Sequence, residues 1–312
     1  MTCMSSSVNR KKVAEFVAVA FGVSWTSAAL VYAAGVEYGT LTSTFLAVAF
    51  FMWAPAFAAI FVQLRRGEPV RSGCGIRGGR VGWVAFAWLA PLALLGLTIG
   101  VGVLFPSVSF TTDFAAFLAE TGLTEEQIEE SLAALESLPV PIFVVFVVQG
   151  LIAGLTINAA AALGEELGWR GLLLTELAPL GFWRVSAFTG VVWGIWHAPL
   201  ILQGHNFPNS PLVGVAVMTV WTLAASPIFT YLTVRARSVL AATFFHGSFN
   251  ALSGFSLLYL TGGSRLLISP VGAAGVGAAV LAVAACVVHD RYVADEPITS
   301  GTPLSPWDDE NA

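Results

Sequence analysis

The sequence predicts an all-α polytopic membrane protein with about eight transmembrane helices around a central polar cavity. Of its 312 residues, 56% are hydrophobic and only 11% are charged, and the mean hydropathy is +0.80. An average soluble domain carries about 25% charged residues. Long apolar segments recur along the chain at the length of a membrane-spanning helix, roughly 20 residues. Except for Arg265, the basic residues lie in alternate connections between these segments.

Eight segments are apolar enough to be predicted spans. They lie near residues 13–34, 42–64, 82–105, 141–163, 185–202, 212–234, 238–260 and 266–288. The first is not predicted to be a cleavable signal peptide, because its apolar stretch runs to Tyr32 without a small-residue cleavage site followed by a polar chain. Residues 164–184 are predicted to form a helix of mixed polarity that lies at the membrane surface or dips from it.

The Lys and Arg residues predict the orientation of the chain, because cytoplasmic connections carry an excess of both. With eight spans, the basic connections and both termini fall on one side, which is taken as the cytoplasm. The residues on that side are Arg10, Lys11, Lys12, Arg65, Arg66, Arg71, Arg77, Arg80, Arg184, Arg235, Arg237 and Arg291. Arg265 alone falls on the other side. The predicted location is a cell membrane, with cytoplasmic N- and C-termini.

Two segments outside the spans differ in composition. Residues 106–140 hold seven acidic residues and no Lys or Arg, and Thr124 and Gln127 have capping-box spacing. An amphipathic acidic helix on the external membrane surface is therefore predicted. Residues 293–312 are polar, acidic and contain Pro and Ser, so a disordered cytoplasmic tail is predicted. Residues 1–292 are then a single membrane domain.

A pair of glutamates follows a stretch, residues 141–163, that contains no charged residue. A charged side chain at membrane depth is costly and by default indicates function. Glu166 and Arg170 stand at i and i+4, which predicts a local ion pair that fixes the helix. Glu165 is rotated by about 100° from Glu166, has no partner in its own turn, and is predicted to be a general base. An ordinary ion pair at an interfacial helix end is the alternative for Glu166 and Arg170. Three glycines leave room for close packing of a helix or a substrate backbone: Gly164, Gly168 and Gly171.

Two further apolar segments each place a histidine one helical turn from a possible helper. Trp193 and His197 share a face, so the indole can support the imidazole and exclude water. His246 and Asn250 have the same spacing, and both can donate hydrogen bonds to one oxygen, as amide hydrolysis requires. For each pair the alternative is polar packing between helices without a catalytic role.

The predicted depths of these residues differ. Glu165 follows the inward end of the fourth span, His197 lies late in the fifth and His246 near the start of the seventh. Their convergence requires a kinked or shortened fifth span, a re-entrant helix at Glu165, or a cavity that opens to the cytoplasm and passes mid-membrane. His205 and His289 are left out of the predicted site, because they fall in an external loop and at the cytoplasmic end of the last span.

The motifs resemble the signatures of the CPBP family, also called Abi or CAAX-protease-like intramembrane peptidases. The family patterns are Glu-Glu-x-x-x-Arg, Phe-x-x-x-His, and His-x-x-x-Asn or Asp. The chain has Glu165-Glu166-x-x-x-Arg170, Trp193-x-x-x-His197 and His246-x-x-x-Asn250. The resemblance covers about residues 141–260, and Trp193 in place of Phe is its one departure.

The resemblance implies an intramembrane endopeptidase, a hydrolase that uses water as nucleophile. It implies that Glu165 activates the water with help from His197. The implied oxyanion hole consists of His246 and Asn250. The implied supporting residues are Glu166, Arg170 and Trp193.

The resemblance also limits substrates and cofactors. Relatives cleave the last three residues from prenylated CAAX proteins, and others are implicated in bacteriocin processing, immunity or scaffolding. The implied partner is a membrane-embedded or lipidated protein, not a nucleic acid. The family is often labelled metalloprotease. Zinc bound by Glu165, His197 and His246 therefore stays open, although the sequence contains no His-Glu-x-x-His motif.

Three other functions compete with a peptidase. The principal alternative is a non-proteolytic membrane scaffold or bacteriocin-immunity protein that retains the site. A proton-coupled transporter is less favoured, because the inverted repeats typical of such proteins are not found. A haem protein with His197 and His246 as axial ligands is also less favoured.

Overall fold

Helices form nearly all of the regular secondary structure. The structure, a computed structural model, describes residues 7–120, 123–300 and 303–307. Up to residue 136 the elements are α1 (Arg10–Ala33), α2 (Leu41–Leu46), a π-helical turn (Ala47–Met52), α3 (Ala54–Arg65), α4 (Val70–Gly73), α5 (Val81–Gly102), β1 (Ser109–Phe110), α6 (Ala115–Glu120) and α7 (Glu125–Glu136).

The second part of the chain carries all three motifs. It starts with α8 (Ile142–Leu155), α9 (Ile157–Glu166), a second π-helical turn (Leu167–Leu173), α10 (Leu174–Leu177) and a 3₁₀ turn (Ala178–Leu180). It continues with α11 (Phe182–Trp196), α12 (Ala198–Leu202), α13 (Pro211–Ala236), α14 (Val239–Leu252), α15 (Phe255–Tyr259), β2 (Leu260–Thr261), α16 (Arg265–Ile268) and α17 (Ala273–Tyr292).

Six helices of the described residues are long and apolar enough to cross a membrane. They are Arg10–Ala33, Leu41–Arg65, Val81–Gly102, Phe182–Leu202, Pro211–Ala236 and Arg265–Tyr292. The bent pair Ile142–Leu155 and Ile157–Leu180 raises the count to seven if it forms one span. The predicted all-α polytopic membrane protein is confirmed. The predicted seventh span, 238–260, does not meet this criterion, because α14 ends at Leu252 and α15 has only five residues.

α14 is short because it lies inside the bundle instead of facing lipid along its length. It packs against α5, α8, α9 and α13, and a helix that is apolar on all sides is typical of such a central position. Small residues allow the close approach. A Cβ atom added to Gly247 would lie 2.6 Å from the carbonyl oxygen of Gly154 in α8. This packing puts His246 in the middle of the protein.

The segment after residue 155 bends into the bundle. α8 and α9 meet at an angle of 48°, at Thr156, where φ is −116° and ψ is −101°. Residues 164–174 are all buried, so in this part the predicted helix does not lie on the surface, and the alternative of a helix that dips from it agrees with the structure. The expected close packing at the glycines is confirmed, since added Cβ atoms would lie less than 3.0 Å from other segments. The contacted residues are Trp53 for Gly164, Pro55 for Gly168 and Cys74 for Gly171.

The two ends of the bundle are distinct. At the basic end, the N–H of Arg80 donates to the carbonyl of Ala236 at 2.8 Å, which joins the start of α5 to the end of α13. At the other end, β1 and β2 pair antiparallel. The Cβ position of Gly102, at the end of α5, lies 2.4 Å from Leu260 Cδ1. α5 therefore runs from one end to the other.

The acidic segment contains the predicted helix start. The Thr124 N–H donates to Gln127 Oε1 at 2.9 Å, and the Gln127 N–H donates to Thr124 Oγ1 at 3.3 Å. This confirms the capping box of α7. No residue of α7 is buried.

The described part of the C-terminal segment, residues 293–300 and 303–307, is bound to the bundle. The Leu304 N–H donates to Ala178 O at 2.9 Å, and Trp307 Nε1 donates to Thr175 Oγ1 at 2.8 Å. Disorder was predicted here because the composition is polar, but Leu304 and Trp307 are buried and supply enough apolar surface to hold these residues. Residues 301–302 and 308–312 of the predicted tail lie outside the described residues.

Candidate active site

A cavity of about 490 Å³ lies inside the bundle, and residues of all three motifs line it. Glu165 comes from α9, Trp193 and His197 from the end of α11, and His246 and Asn250 from α14. Five predicted site residues thus share one cavity, although 85 positions separate the first from the last.

Two helix breaks remove the mismatch in predicted depth. α11 ends at Trp196, and His197 separates it from α12, in which Pro199 occupies the first turn. A proline in the first turn of a helix is tolerated because its missing N–H is not needed there. The fifth predicted span is therefore interrupted at His197. The bend before α9 brings Glu165 level with Trp193.

Glu165 is buried, with 2% of its surface exposed. Trp193 Nε1 donates a hydrogen bond to Glu165 Oε2 at 2.7 Å. The sequence predicted only an aromatic wall at this position. A phenylalanine, as in the family pattern, has no such donor, so Trp193 adds a contact that the motif alone does not contain.

Glu166 connects the first motif to the third. Arg170 Nη1 lies 3.0 Å from Glu166 Oε2, which confirms the predicted ion pair at i and i+4. His246 Nδ1 lies 2.7 Å from Glu166 Oε1. This second contact was missed, because a separation of 80 residues leaves no periodic signal in the sequence.

Arg170 is held between two aromatic rings. Its guanidinium carbon lies 4.4 Å from the ring centroid of Trp193 and 4.2 Å from that of Phe229 in α13. Such stacking stabilises a desolvated cation by about 2 kcal/mol or more. Arg170 Nε and Nη2 have no hydrogen-bond partner among the described residues. Phe229 was not predicted, and one aromatic residue in an apolar helix gives no signal for this role.

The imidazole of His197 has a defined orientation. Its Nδ1 lies 2.8 Å from the carbonyl oxygen of Trp193. A carbonyl oxygen only accepts hydrogen bonds, so Nδ1 carries the proton and Nε2 keeps its lone pair in the neutral ring. The rings of Trp193 and Trp196 lie on either side, with centroids 5.7 and 4.9 Å away.

The walls beyond the motif residues are largely aromatic. The Trp221 ring of α13 stacks on Phe249 of α14, with centroids 5.1 Å apart and an interplanar angle of 25°. Both rings line the cavity, and Asn250 follows Phe249 on the same wall. Apolar surface beside a few polar groups is typical of pockets that bind organic ligands.

His205 belongs to this cavity, although the sequence analysis left it out. It lines the wall together with Tyr38, and the Tyr38 hydroxyl is hydrogen-bonded to His205 Nδ1. Enclosure by the cavity walls lowers the pKa of His205 to about 4 and raises that of Tyr38 to about 12, so both are neutral near pH 7. A predicted external loop gave no reason to expect this contact, because the two residues are 167 positions apart. His289 lies away from the cavity and is bonded to the Tyr231 hydroxyl at 2.7 Å.

The donor groups do not form a metal site as they are arranged. Among the described residues, no three His, Cys, Asp or Glu side chains come together in a way that holds a metal ion. The Nδ1 contacts of His197 and His246 leave the Nε2 atom of each ring free, and the hydrogen bond from Trp193 occupies one oxygen of Glu165. No step of the reaction is derived through a metal.

Residues 139–252 match a family model described as type II CAAX prenyl endopeptidase Rce1-like. This segment is therefore similar to the Rce1-like family. The match confirms the resemblance to the CPBP family, covers a little over a third of the chain, and contains all seven motif residues. No curated protein matches the chain. The apolar helices indicate a multi-pass membrane protein, and the matched segment is similar to a protease family whose substrates are membrane-associated proteins.

Proposed function

We propose that the chain is an intramembrane endopeptidase that hydrolyses a peptide bond in a membrane-embedded or lipidated protein. The observation that supports this most is the shared cavity: Glu165, His197 and His246 come from three distant helices and line the same enclosed space. The Rce1-like match over the same residues supports the same reaction class.

Glu165 is the proposed general base. Trp193 donates to Oε2 and so fixes the carboxylate, whose other oxygen is left to accept from a water in the cavity. The water gives its proton to Glu165 as its oxygen attacks the peptide carbonyl. Glu165 then passes that proton to the amide nitrogen as the C–N bond breaks, which releases one product with a free amine and one with a new carboxyl group. His197 presents the lone pair of Nε2 on the same cavity and is the second acceptor that orients the water.

His246 and Asn250 are the proposed oxyanion donors. Because His246 Nδ1–H donates to Glu166, its Nε2 can donate to the oxyanion only if the ring carries protons on both nitrogens. The Glu166 carboxylate stabilises that imidazolium through a charge-assisted hydrogen bond. The amide of Asn250, one turn further along α14, is a donor that needs no charge.

Glu166 and Arg170 are supporting residues. The carboxylate binds both Arg170 and His246, and so sets the position of α14 relative to the helix that carries Glu165. Trp193 contacts Glu165, His197, His246 and the Arg170 guanidinium. Its indole is therefore a common support for the whole site.

The proposed location is a cell membrane, with both termini in the cytoplasm. Residues 1–292 are proposed to act as one membrane domain, with the acidic segment 106–140 on the external surface. The distribution of Lys and Arg supports this orientation.

The direct test is the Glu165→Gln variant. Glutamine keeps the shape and still accepts from Trp193, but it is a far weaker base. Turnover should fall about 10²–10⁴-fold, with unchanged thermal unfolding. Glu176→Gln is the matched control, because Glu176 binds Lys12 at the basic end and its loss leaves the cavity intact. Unchanged turnover of the Glu165→Gln protein would remove this residue from the mechanism.

Because the substrate is unknown, membranes of cells with wild-type and Glu165→Gln protein should be compared for polypeptides whose termini change. A non-proteolytic role predicts instead that the Glu165→Gln protein restores every phenotype of a deletion strain. His246→Ala, tested on a substrate found in this way, should lose turnover as well. Metal analysis of the purified chain tests independently whether Glu165, His197 and His246 bind zinc.

A further inference from the structure

Among the described residues, the exposed part of the cavity lining lies at one end of the bundle. Its outer wall consists of residues from the connections after α1 and α12 and from the region around α16. They include Tyr38, His205, Asn206, Arg265 and Ser269. Thr44, at the start of the second predicted span, is an exposed member of the same wall. These connections lie at the end where β1 pairs with β2.

Three helices show that the cavity extends away from the basic end of the bundle. On α13 the lining residues are Met218 and Trp221, whereas residues 225–236 are all buried and none lines the cavity. On α14 the lining starts at His246 and continues away from the basic end, and none of residues 239–245 takes part. The second span contributes residues from its start through Met52, and none from α3.

The basic end is closed by packed side chains. Arg170 lies between the rings of Trp193 and Phe229, and Phe229 packs edge-on against Phe245 with centroids 4.8 Å apart. Trp169 and the leucines that follow Arg170 are buried too. Glu165 and His246 therefore form the floor of a cavity that is reached from the opposite end.

Nearly all cationic side chains are at the closed end. Of 14 Lys and Arg residues, 12 are those that the sequence analysis assigned to one side, Arg170 is buried in the site, and Arg265 is at the open end. Contacts between these connections, such as Arg80 with Ala236, confirm that they belong to one end of the bundle. By the excess of positive charge in cytoplasmic connections, the closed end is cytoplasmic.

We infer that the active site takes its substrate from the extracytoplasmic side of the membrane. The side of access rests on the cavity walls and the basic residues, while cleavage rests on the proposed function. The substrate class is then a membrane-attached polypeptide whose cleavable segment is exposed on that side, as in an exported or lipid-anchored protein. A polypeptide tail confined to the cytoplasm does not reach Glu165.

Cysteine labelling tests the side of access. Thr44→Cys puts a thiol at the open end, and Ser72→Cys puts one in the exposed basic connection that contains α4. A membrane-impermeant maleimide is added to intact cells that express the full chain, and to the same cells after permeabilisation. The chain also contains Cys3, so both changes are made in a Cys3→Ser protein, and that protein without an added cysteine gives the background, because Cys74 is 1% exposed and Cys286 is partly buried.

The inference expects Thr44→Cys to be labelled in intact cells at least tenfold above background, and Ser72→Cys only after permeabilisation. Three outcomes would overturn the inference. They are the reverse pattern, labelling of both variants in intact cells, and labelling of neither variant until the cells are permeabilised. If Thr44→Cys does not accumulate, Leu41→Cys reports the same end, since Leu41 is 91% exposed.

Substrate termini separate this inference from the proposed function. Termini that change in the Glu165→Gln cells should lie in extracytoplasmic segments. Changes confined to cytoplasmic segments would overturn the inference and leave the peptidase intact. If no terminus changes while Thr44→Cys is labelled from outside, the peptidase proposal fails and the open side stands.

Discussion

Asp290 and Glu165 are both buried carboxylates, with 0% and 2% of their surface exposed, but their surroundings differ. Asp290 accepts from the Arg235 guanidinium, from the amides of Ile298 and Thr299, and from the Thr299 hydroxyl. Glu165 accepts from one indole N–H and lines a cavity. A carboxylate whose acceptor positions are filled by the protein holds structure together. One that keeps acceptor capacity toward a cavity can take a proton from a bound molecule.

Glu166 shows that sequence neighbours can belong to different classes. It stands beside Glu165 but resembles Asp290, because Arg170 and His246 occupy its oxygens. The rotation of about 100° per residue in a helix produces this separation. The following predictions test whether the difference between filled and open carboxylates has the consequences described.

The largest effect is expected for Glu166→Gln. The variant leaves Arg170 without its anion, although only 1% of that residue is exposed. Removal of one partner from a buried ion pair costs about 3–5 kcal/mol, so the thermal unfolding midpoint in detergent should fall sharply. The double variant Glu166→Gln/Arg170→Met should recover most of the stability but not the turnover. Wild-type stability of the single variant would contradict the structural role of Glu166.

Asp290→Asn should have a smaller effect on stability and none on catalysis. Hydrogen bonds to a charged group contribute about 1.5–3 kcal/mol each, and their weakening should release residues 298–307 to limited proteolysis. Peptide-bond turnover should stay within about threefold of wild type. A loss of turnover as large as that of Glu165→Gln would break the comparison, since a structural carboxylate would then behave like a catalytic one.

Trp193→Phe restores the family pattern and removes the donor to Glu165. The aromatic wall stays, so stability should fall by only about 1 kcal/mol, the net contribution of one hydrogen bond. Turnover should fall several-fold, because the carboxylate is less firmly oriented. Trp183→Phe is the matched control, since its indole donates to Thr299 O at 3.1 Å, away from the cavity. Equal kinetic effects of the two changes would show that the indole N–H of Trp193 has no special role.

The smallest effect concerns His205 and pH. Its pKa of about 4 in the folded protein lies below the ordinary value of about 6.5. Between these values the unfolded chain binds more protons, so stability decreases as pH falls from 6.5 to 4. His205→Gln should reduce this loss of stability. The unfolding midpoint of the variant should therefore rise by about 2–4 °C relative to that of the wild type when the pH is lowered from 7.5 to 4.5. Parallel curves for the two proteins would exclude a contribution from His205.

Hydropathy and local spacing were sufficient for part of this structure. The apolar segments predicted the helical membrane class, and spacing at i and i+4 predicted the ion pair of Glu166 with Arg170. Hydropathy does not distinguish a helix that faces lipid from one buried in protein, so α14 was predicted as a full span. The bend at Thr156 was not predicted either, because threonine is common in straight helices and the bend depends on packing.

The sequence predicted which ionisable residues share the cavity, but not their contacts. Residue types and spacing made Glu165, His197 and His246 the candidates, since ionisable groups are rare in apolar segments, and all three line the cavity. Tyr38, Phe229 and His205 were missed. Each acts through a partner more than 50 residues away, and such pairs leave no mark on a single sequence.

The anchored C-terminal segment has a practical consequence for work on this chain. Trp307 and Leu304 are bonded to Thr175 and Ala178, which lie two to three helical turns beyond Glu166 in the same continuous stretch of helix. A purification handle fused after Ala312 is thus tethered a few residues from the helix that holds Glu165. Kinetic comparisons between variants should therefore use the untagged chain, or a handle released by a site-specific protease before assay.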